Sequence, residues 1–269
     1  METLRSKSPL PPFYKGEFSP EIYYFIASIK IPGLLINGIF KSTFMEENLI
    51  EIQQRVSVAL KIAGRQPDGV TLIGASKTVL AARLRNFVQS GLHNLGENYI
   101  QEGISKQNEL ADLDICWHFI GALQSNKARQ AVEHFDWIHS VDRVSLIKSL
   151  EKEAAHADKT IKVLLQVNVG DESSKAGCRA DELEKLAVFC LEQPHLELRG
   201  LMCLPPFSEN AEETRKYFSL LRELRDGFKS TFGLKQLELS MGMSHDFEIA
   251  IEEGATMIRV GTALFGKRS

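Results

Sequence analysis

The stretch Val70-Thr71-Leu72-Ile73-Gly74-Ala75, followed by Ser76-Lys77-Thr78, decides the fold. Its first six residues are mostly apolar or β-branched, as a strand buried on both faces demands, and the run stops on three polar residues. Residues 80–89 then place apolar side chains at helical spacing, so the unit reads as strand, polar turn and amphipathic helix. The pattern repeats along the chain. Strands are expected at 70–75, 94–96, 118–121, 137–141, 162–169, 198–202, 236–239 and 257–260, and helices at 80–89, 100–110, 127–134, 144–157, 181–191, 211–228 and 247–252. Ser125-Asn126, Asp142 and Ser244 stand where helix N-caps are expected. Strands alternating with helices give a parallel sheet, and eight of them predict a closed (β/α)8 TIM barrel of the α/β class. The alternative, an open doubly wound sheet, commonly carries a GxGxxG turn after an early strand, which this sequence lacks.

Upstream of the first strand, Leu49, Ile52, Val56, Ala59 and Leu60 lie at helical spacing behind an acidic first turn, so a helix starts near Met45. Residues 1–44 have another character. Ser8, Pro9, Pro11, Pro12 and Gly16 open them, and the apolar segment 22–40 is broken by Lys30, Pro32, Gly33, Asn37 and Gly38. A transmembrane helix needs about 20 predominantly apolar residues and a signal peptide a compact apolar core, and the segment fits neither well. The expectation is an N-terminal extension at 1–44 that is poorly ordered or an upstream misreading of the gene with Met45 as the natural start, and a barrel domain at 45–269. A membrane or targeting segment is the competing reading.

Composition narrows the function. Among 269 residues, 43% are hydrophobic and 25% charged, an ordinary globular balance. The 32 basic against 35 acidic residues give a net charge of -3, which offers no general attraction for nucleic acid or anionic lipid. Cys116, Cys178, Cys190 and Cys203 form no CxxC pair and no zinc-type spacing, so reduced, mostly buried thiols in a cytoplasmic protein are expected. No HxxxH or HExxH occurs, and no metal site is expected.

Barrel active sites lie at the C-terminal ends of the strands, and those ends are unusually polar here: Ser76-Lys77-Thr78, Gly96-Glu97-Asn98-Tyr99, Gln124-Ser125-Asn126-Lys127, Ser240-Met241-Gly242-Met243-Ser244 and Arg259-Val260-Gly261-Thr262. Lys77 emerges from packed apolar residues. Desolvation and a neighbouring cation lower a lysine's pKa and make its amine nucleophilic toward carbonyls. Position alone leaves this reading level with that of a surface lysine whose stem covers apolar surface. After the seventh and eighth strands, Ser244 at a helix start, Gly261, Arg259 and Thr262 together suggest a phosphate cup. Gly242 and Gly261 serving only turns, and Arg259 filling the barrel as an ion-pair partner, are the structural alternatives.

Six motifs, in order, carry a resemblance. They are Ala75-Ser76-Lys77-Thr78; Gly96-Glu97-Asn98-Tyr99-Ile100-Gln101-Glu102; the run from Trp117-His118 through Gly121 to Asn126-Lys127; Gly200-Leu201-Met202; Leu239-Ser240-Met241-Gly242-Met243-Ser244; and Arg259-Val260-Gly261. From Met45 onward the chain resembles the pyridoxal phosphate homeostasis protein family, of the YggS and PROSC type. The resemblance implies a fold-type III barrel like the N-terminal domain of alanine racemase, without the C-terminal β domain, holding pyridoxal 5'-phosphate (PLP) as an aldimine on Lys77. It places the phosphate near Ser244, Arg259, Gly261 and Thr262, with Asn98 beside the cofactor. Met241 and Met202 are expected near the ring, and His118 and Asn126 at the mouth, although core packing and strand-end hydrogen bonding account for these four as well.

Alanine racemases take a second base from a tyrosine in a C-terminal domain at a dimer interface. Of Tyr14, Tyr23, Tyr24, Tyr99 and Tyr217, Tyr99 alone falls at a strand end, so two-base racemisation has little support. The expectation is a cytoplasmic, non-enzymatic, monomeric protein that buffers PLP or delivers it to apo PLP-dependent enzymes, with no nucleic-acid or membrane partner. A weakly active racemase-like enzyme and a regulator acting through a bound protein are the alternatives.

Overall fold

The structure, a computed structural model, describes residues 47–172 and 175–266. The proposed boundary at Met45 and the extension before it lie outside these residues. Helix α1 (Glu47–Ile62) precedes eight strands: β1 (Thr71–Ala75), β2 (Asn94–Glu97), β3 (Cys116–Phe119), β4 (Trp137–Val141), β5 (Ile161–Val167), β6 (Leu196–Cys203), β7 (Glu238–Ser240) and β8 (Met257–Val260). Helices α2 (Ala81–Gln89), α3 (Ile100–Glu109), α4 (Ala128–His134), α5 (Val144–His156), α6 (Leu183–Leu191), α7 (Arg215–Phe232) and α8 (Phe247–Glu252) fill the connections, and α9 (Thr262–Phe265) follows β8. The strands pair in parallel in sequence order and close into a barrel, with Leu72 opposite Ile258 and Gly74 opposite Val260 across the final seam.

Side-chain alternation builds two layers of core. Outward-facing residues such as Leu95, Phe119, Ile138, Val163, Leu201 and Leu239 are almost fully buried beneath the helices. A second, smaller apolar cluster of Ile73, Trp137, Leu164, Met202 and Met257 fills the barrel interior. Following the same alternation from Ile73 through Ala75 leads to Lys77, and from Met257 through Arg259 to Gly261, so the inward stripe of each strand surfaces at the mouth. Helix α1 packs on α8 through the Arg55–Glu248 ion pair at 2.6 Å and Arg55 lying 4.6 Å over the Phe247 ring, while Asn48 donates to the carbonyl of Leu264 at 3.0 Å.

The expected strands and helices all form, but some boundaries move. The strand expected at 118–121 is Cys116–Phe119, paired one to one with Asn94–Glu97; beyond it, Gly121 lies so close to Asn98 that an added Cβ would stand 2.2 Å from its carbonyl oxygen. The helix expected at 211–228 divides into a 3-10 turn, Ala211–Thr214, and α7. All three expected N-caps are corrected, because another residue takes the cap position or the residue lies within a turn of its own. Ser125 and Asn126 lie inside a 3-10 turn, Ser125–Lys127. Asp142 pairs with Arg143 at 2.6 Å, and Arg143 takes the cap position of α5. Asp246, not Ser244, occupies the cap of α8. The four cysteines are free and three are buried; burial pushes the thiols of Cys178, Cys190 and Cys203 up to about 12, so they are poor nucleophiles. Among the described residues no helix is long and apolar enough to cross a membrane, and no cluster of His, Cys, Asp and Glu has the makings of a metal site.

Candidate functional site

Lys77 leaves the end of β1 half-buried, between two residues held in place by a buried ionic cluster. Lys106 on α3, 5% exposed, sends its ammonium to the Ser76 carbonyl at 2.6 Å and to Glu97 Oε1 and Glu102 Oε1 at 2.7 Å each. Ser76 Oγ donates to Glu97 Oε1 at 2.6 Å. The Thr78 backbone N–H donates to Glu102 Oε1, and Thr78 adopts φ 66°, a left-handed conformation that non-glycine residues rarely take. Burial holds the Glu97 carboxyl above the usual carboxylate range against the opposing bonds from Lys106 and Ser76, and its second oxygen, Oε2, is buried without a hydrogen-bond partner.

Across the closing seam, the loops after β7 and β8 meet through one hydroxyl. Ser244 Oγ accepts the backbone N–H groups of Gly261 and Ala263, both at 3.2 Å. Thr262 is exposed between them. At Gly261 an added Cβ would meet only Ala75, at ordinary contact distances of 3.4 and 3.5 Å, so packing does not demand glycine there. Gly242 differs: its φ is +90° and a Cβ would lie 2.6 Å from that of Ala250, so the tight turn and the approach of α8 both require it. Burial also raises the pKa of the Asp246 carboxyl, which accepts the Met243 N–H at 2.7 Å and so fixes the turn carrying Ser244.

Arg259 lies beneath this cup, inside the barrel. Only 3% exposed, it donates from Nη1 to Ser240 Oγ at 2.6 Å and from Nη2 to the Cys203 carbonyl at 2.8 Å, and burial lowers its pKa from the ordinary guanidinium value. Ser240 Oγ meets His139 Nδ1 at 2.9 Å, His139 Nε2 meets His118 Nδ1 at 3.0 Å, and His118 Nε2 meets Asn94 Oδ1 at 3.0 Å. Arginine only donates and an amide oxygen only accepts, so the protons between them run one way, from Arg259 to Asn94, and both imidazoles are neutral with the proton on Nε2. Burial pushes His118 down to about 3 and His139 well below the ordinary histidine value, the latter helped by the Arg259 charge.

These positions revise the expected site in detail. Lys77 and Asn98 stand at adjacent strand ends, each half-buried, and Ser244, Gly261 and Thr262 gather at the opposite side of the seam. His118 is not at the mouth: it lies 1% exposed in the interior and bonds to the first residue of β2, because its position on β3 points inward below the rim. Asn126 is exposed in the loop after β3. Met202 belongs to the inner apolar cluster, whereas fully buried Met241 belongs to the main core and packs there. Lys106, His139 and Ala263 escaped the sequence reading. Lys106 had a signal, since Ile100, Gly103 and Lys106 form the buried face of α3 and Glu102 stands four residues before it.

A parallel eight-stranded barrel with a lysine at the end of its first strand and converging backbone donors after its last defines a class, and the sequence comparison agrees: the family described as "Alanine racemase, N-terminal domain" matches residues 48–269. A protein of Aquifex aeolicus called pyridoxal phosphate homeostasis protein is 45% identical over 222 residues, 82% of this chain and 97% of that protein; its namesake in Escherichia coli K12 is 40% identical over 230 residues, covering 82% and 95%. The chain belongs to the pyridoxal phosphate homeostasis protein family, within that barrel class. Among solved structures, PipY of Synechococcus elongatus PCC7942 with PLP bound is 41% identical, with a TM-score of 0.70 over 78% of this chain and 100% of that one. Alanine racemase of Clostridium difficile 630, 13% identical with a TM-score of 0.65 over 82% of this chain and 57% of that one, shares the fold.

Proposed function

We propose that this chain holds PLP at the barrel mouth and serves to buffer or deliver it within the cytoplasm, without substantial catalysis. The observation that carries the reading is the convergence of the Gly261 and Ala263 N–H groups on one neutral oxygen, across the seam from the strand that Lys77 follows. Two main-chain donors sharing a hydroxyl at 3.2 Å are under-used, and an anionic phosphate oxygen accepts such donors more strongly. PipY, a relative with PLP bound, supports the same reading.

The residues fit the group. Lys77 supplies a primary amine; Ser244, Gly261, Thr262 and Ala263 supply phosphate donors; Arg259 adds a fixed positive charge from beneath; Asn98 flanks the amine; and Met241 packs behind the β7 loop. When bound, the cofactor supplies an aldehyde for condensation with an amine and an electron-withdrawing ring. Lys77 orients its amine, the cup retains the phosphate whether or not the amine is joined to the aldehyde, and the barrel interior below is closed to water by Trp137, Met202 and the imidazole chain.

The non-catalytic part of the reading rests on the groups around the site. His118 and His139 are neutral and committed to the interior chain, and Tyr99 is 66% exposed, so neither offers a poised second base. Borohydride treatment of the protein with PLP, followed by peptide mass spectrometry, should give a phosphopyridoxyl adduct on Lys77; an unmodified Lys77 sinks the cofactor reading. Amino-acid α-protons should not exchange with deuterated water at a useful rate, and exchange that disappears in Lys77→Ala would make the chain an enzyme. We further propose that residues 45–269 suffice and that the protein is a monomer which passes PLP to apo-enzymes. A chain starting at Met45, run through light scattering and a transfer assay with an apo PLP-dependent enzyme, tests all three.

A further inference from the structure

The cluster around Lys106 has a geometry that packing alone does not require. An ammonium with three protons meets three acceptors, and one of them is the Ser76 carbonyl, part of the peptide unit that precedes Lys77. The neighbouring carboxylate, Glu102, takes the Thr78 N–H, part of the peptide unit that follows Lys77. The same pair of side chains therefore grips both peptide planes flanking Lys77, and Thr78 takes its left-handed φ inside the turn that the Val79 N–H closes on the Ser76 carbonyl at 2.9 Å. Glu97, fully buried, ties the arrangement to β2 by accepting from Ser76 Oγ and Lys106 together.

We propose that Lys106 and Glu102 are positioning residues for Lys77: a second lysine and its i−4 glutamate fix the backbone dihedrals of the first, so that its amine leaves β1 in one direction, toward the cup across the seam. This deepens the proposed function and rests on its assignment of Lys77 as the reacting amine. In that condensation the neutral amine gives up two protons and the aldehyde its oxygen, which leave as one water as the C–N double bond forms, with no electrons exchanged. A lysine whose backbone wanders spends less time within reach of the aldehyde, and misplacement of this kind slows bond formation by about tenfold or more.

The test uses the full chain and the variants Lys106→Met, Glu102→Ala and Glu102→Gln, with three readings. In ligand-free protein, hydrogen exchange of the Thr78 amide should quicken in Lys106→Met and Glu102→Ala while barrel-strand amides keep their protection. With PLP, the rate of borohydride-fixable adduct formation on Lys77 should fall about tenfold in both. Binding of pyridoxamine 5'-phosphate, which has the phosphate and ring but no aldehyde, should stay within about twofold of the wild type. Glu102→Gln keeps an oxygen facing the Thr78 N–H and should restore most of the adduct rate; if it behaves like Glu102→Ala, charge rather than backbone grip is at work and the proposal falls. Unchanged Thr78 exchange, or adduct rate and pyridoxamine 5'-phosphate affinity falling together, overturns it equally. Should Lys106→Met fail to fold, Glu102→Ala decides, since Glu102 is partly exposed. If the wild type forms no adduct on Lys77, the cofactor reading fails while the exchange measurement still judges the grip.

Discussion

The two sides of the barrel mouth are built in opposite ways. On the β1–β2 side, Lys106 spends every ammonium proton at 2.6–2.7 Å on the Ser76 carbonyl, Glu97 and Glu102, and Glu102 takes the Thr78 N–H. On the β7–β8 side, two backbone N–H groups share one hydroxyl at 3.2 Å. Charge-assisted bonds are shorter and roughly twice as strong as neutral ones, so the first side is rigid and the second is held lightly enough for an anion to take over its donors. Under the proposed function, the contrast suits a site that aims an amine permanently but takes up and releases a phosphate.

The largest break in the comparison is Lys77→Ala, for which we predict complete loss of the borohydride-fixed adduct and retention of pyridoxamine 5'-phosphate binding. Mass spectrometry and calorimetry on the same sample check it; an undiminished adduct elsewhere would divorce the amine from the cup. Next comes Arg259→Ala, which opens a cavity and removes the donors to Ser240 Oγ and the Cys203 carbonyl, costing about 3 kcal/mol of stability in urea denaturation. A loss below about 1 kcal/mol would mean that the guanidinium does little to hold the β6–β8 ends together.

A smaller effect follows from the neutral imidazoles. The folded-state pKa of His118 is about 3 against an ordinary value near 6.5, so the unfolded chain binds the extra proton between those values. The stability it contributes is therefore intact above about pH 6.5 and lost as pH falls toward 3, at up to about 1.4 kcal/mol per pH unit. Glu97 and Asp246, both raised, bind extra protons when folded and oppose this slope at mildly acid pH. The clean measurement is thus the difference between wild type and His118→Gln, which should have the shallower acid limb; identical limbs would remove His118 from the balance. Smallest is Ser244→Ala, expected to cost the ligand-free protein about 1 kcal/mol by stranding two N–H groups. Saturating pyridoxamine 5'-phosphate should close that gap, because the phosphate takes over the donors. A gap that persists in thermal denaturation with ligand would place the phosphate elsewhere.

The barrel was legible because its signal is repeated: each apolar run stops on polar residues and is followed by a helix, and one inward stripe per strand brings those polar residues to one end. That Lys77, Ser244 and Gly261 stand at one end of the barrel was legible for the same reason, since each follows a run that ends there. What escaped was written in long-range pairing. Nothing local separates Ser244 as a helix cap from Ser244 as an acceptor for Gly261 and Ala263, since the competing donors come from the next strand's loop. His118 was expected at the mouth on the resemblance alone, while its place on β3 turns it into the interior, and His139 passed as a polar residue within a largely apolar strand. Arg259 fills the barrel as the structural alternative had it, but through bonds to Ser240 Oγ and the Cys203 carbonyl rather than through an ion pair.

Closure of the ring has a consequence for how the chain reaches this state. β1 and β8 are separated by most of the sequence, and the strand ends followed by Lys77 and Gly261 come together only when Thr71 through Gly74 pair with Met257 through Val260. Contacts of such high sequence separation form late and slowly, because the loop-closure entropy is met before the pairing rewards it. Until that last strand docks, Lys77 and the N–H groups of Gly261 and Ala263 belong to different parts of an open sheet. A ligand that spans both sides therefore recognises only the completed ring and pulls the folding equilibrium toward it by mass action, so that in a growing or recovering chain the first molecule bound certifies that the barrel has shut.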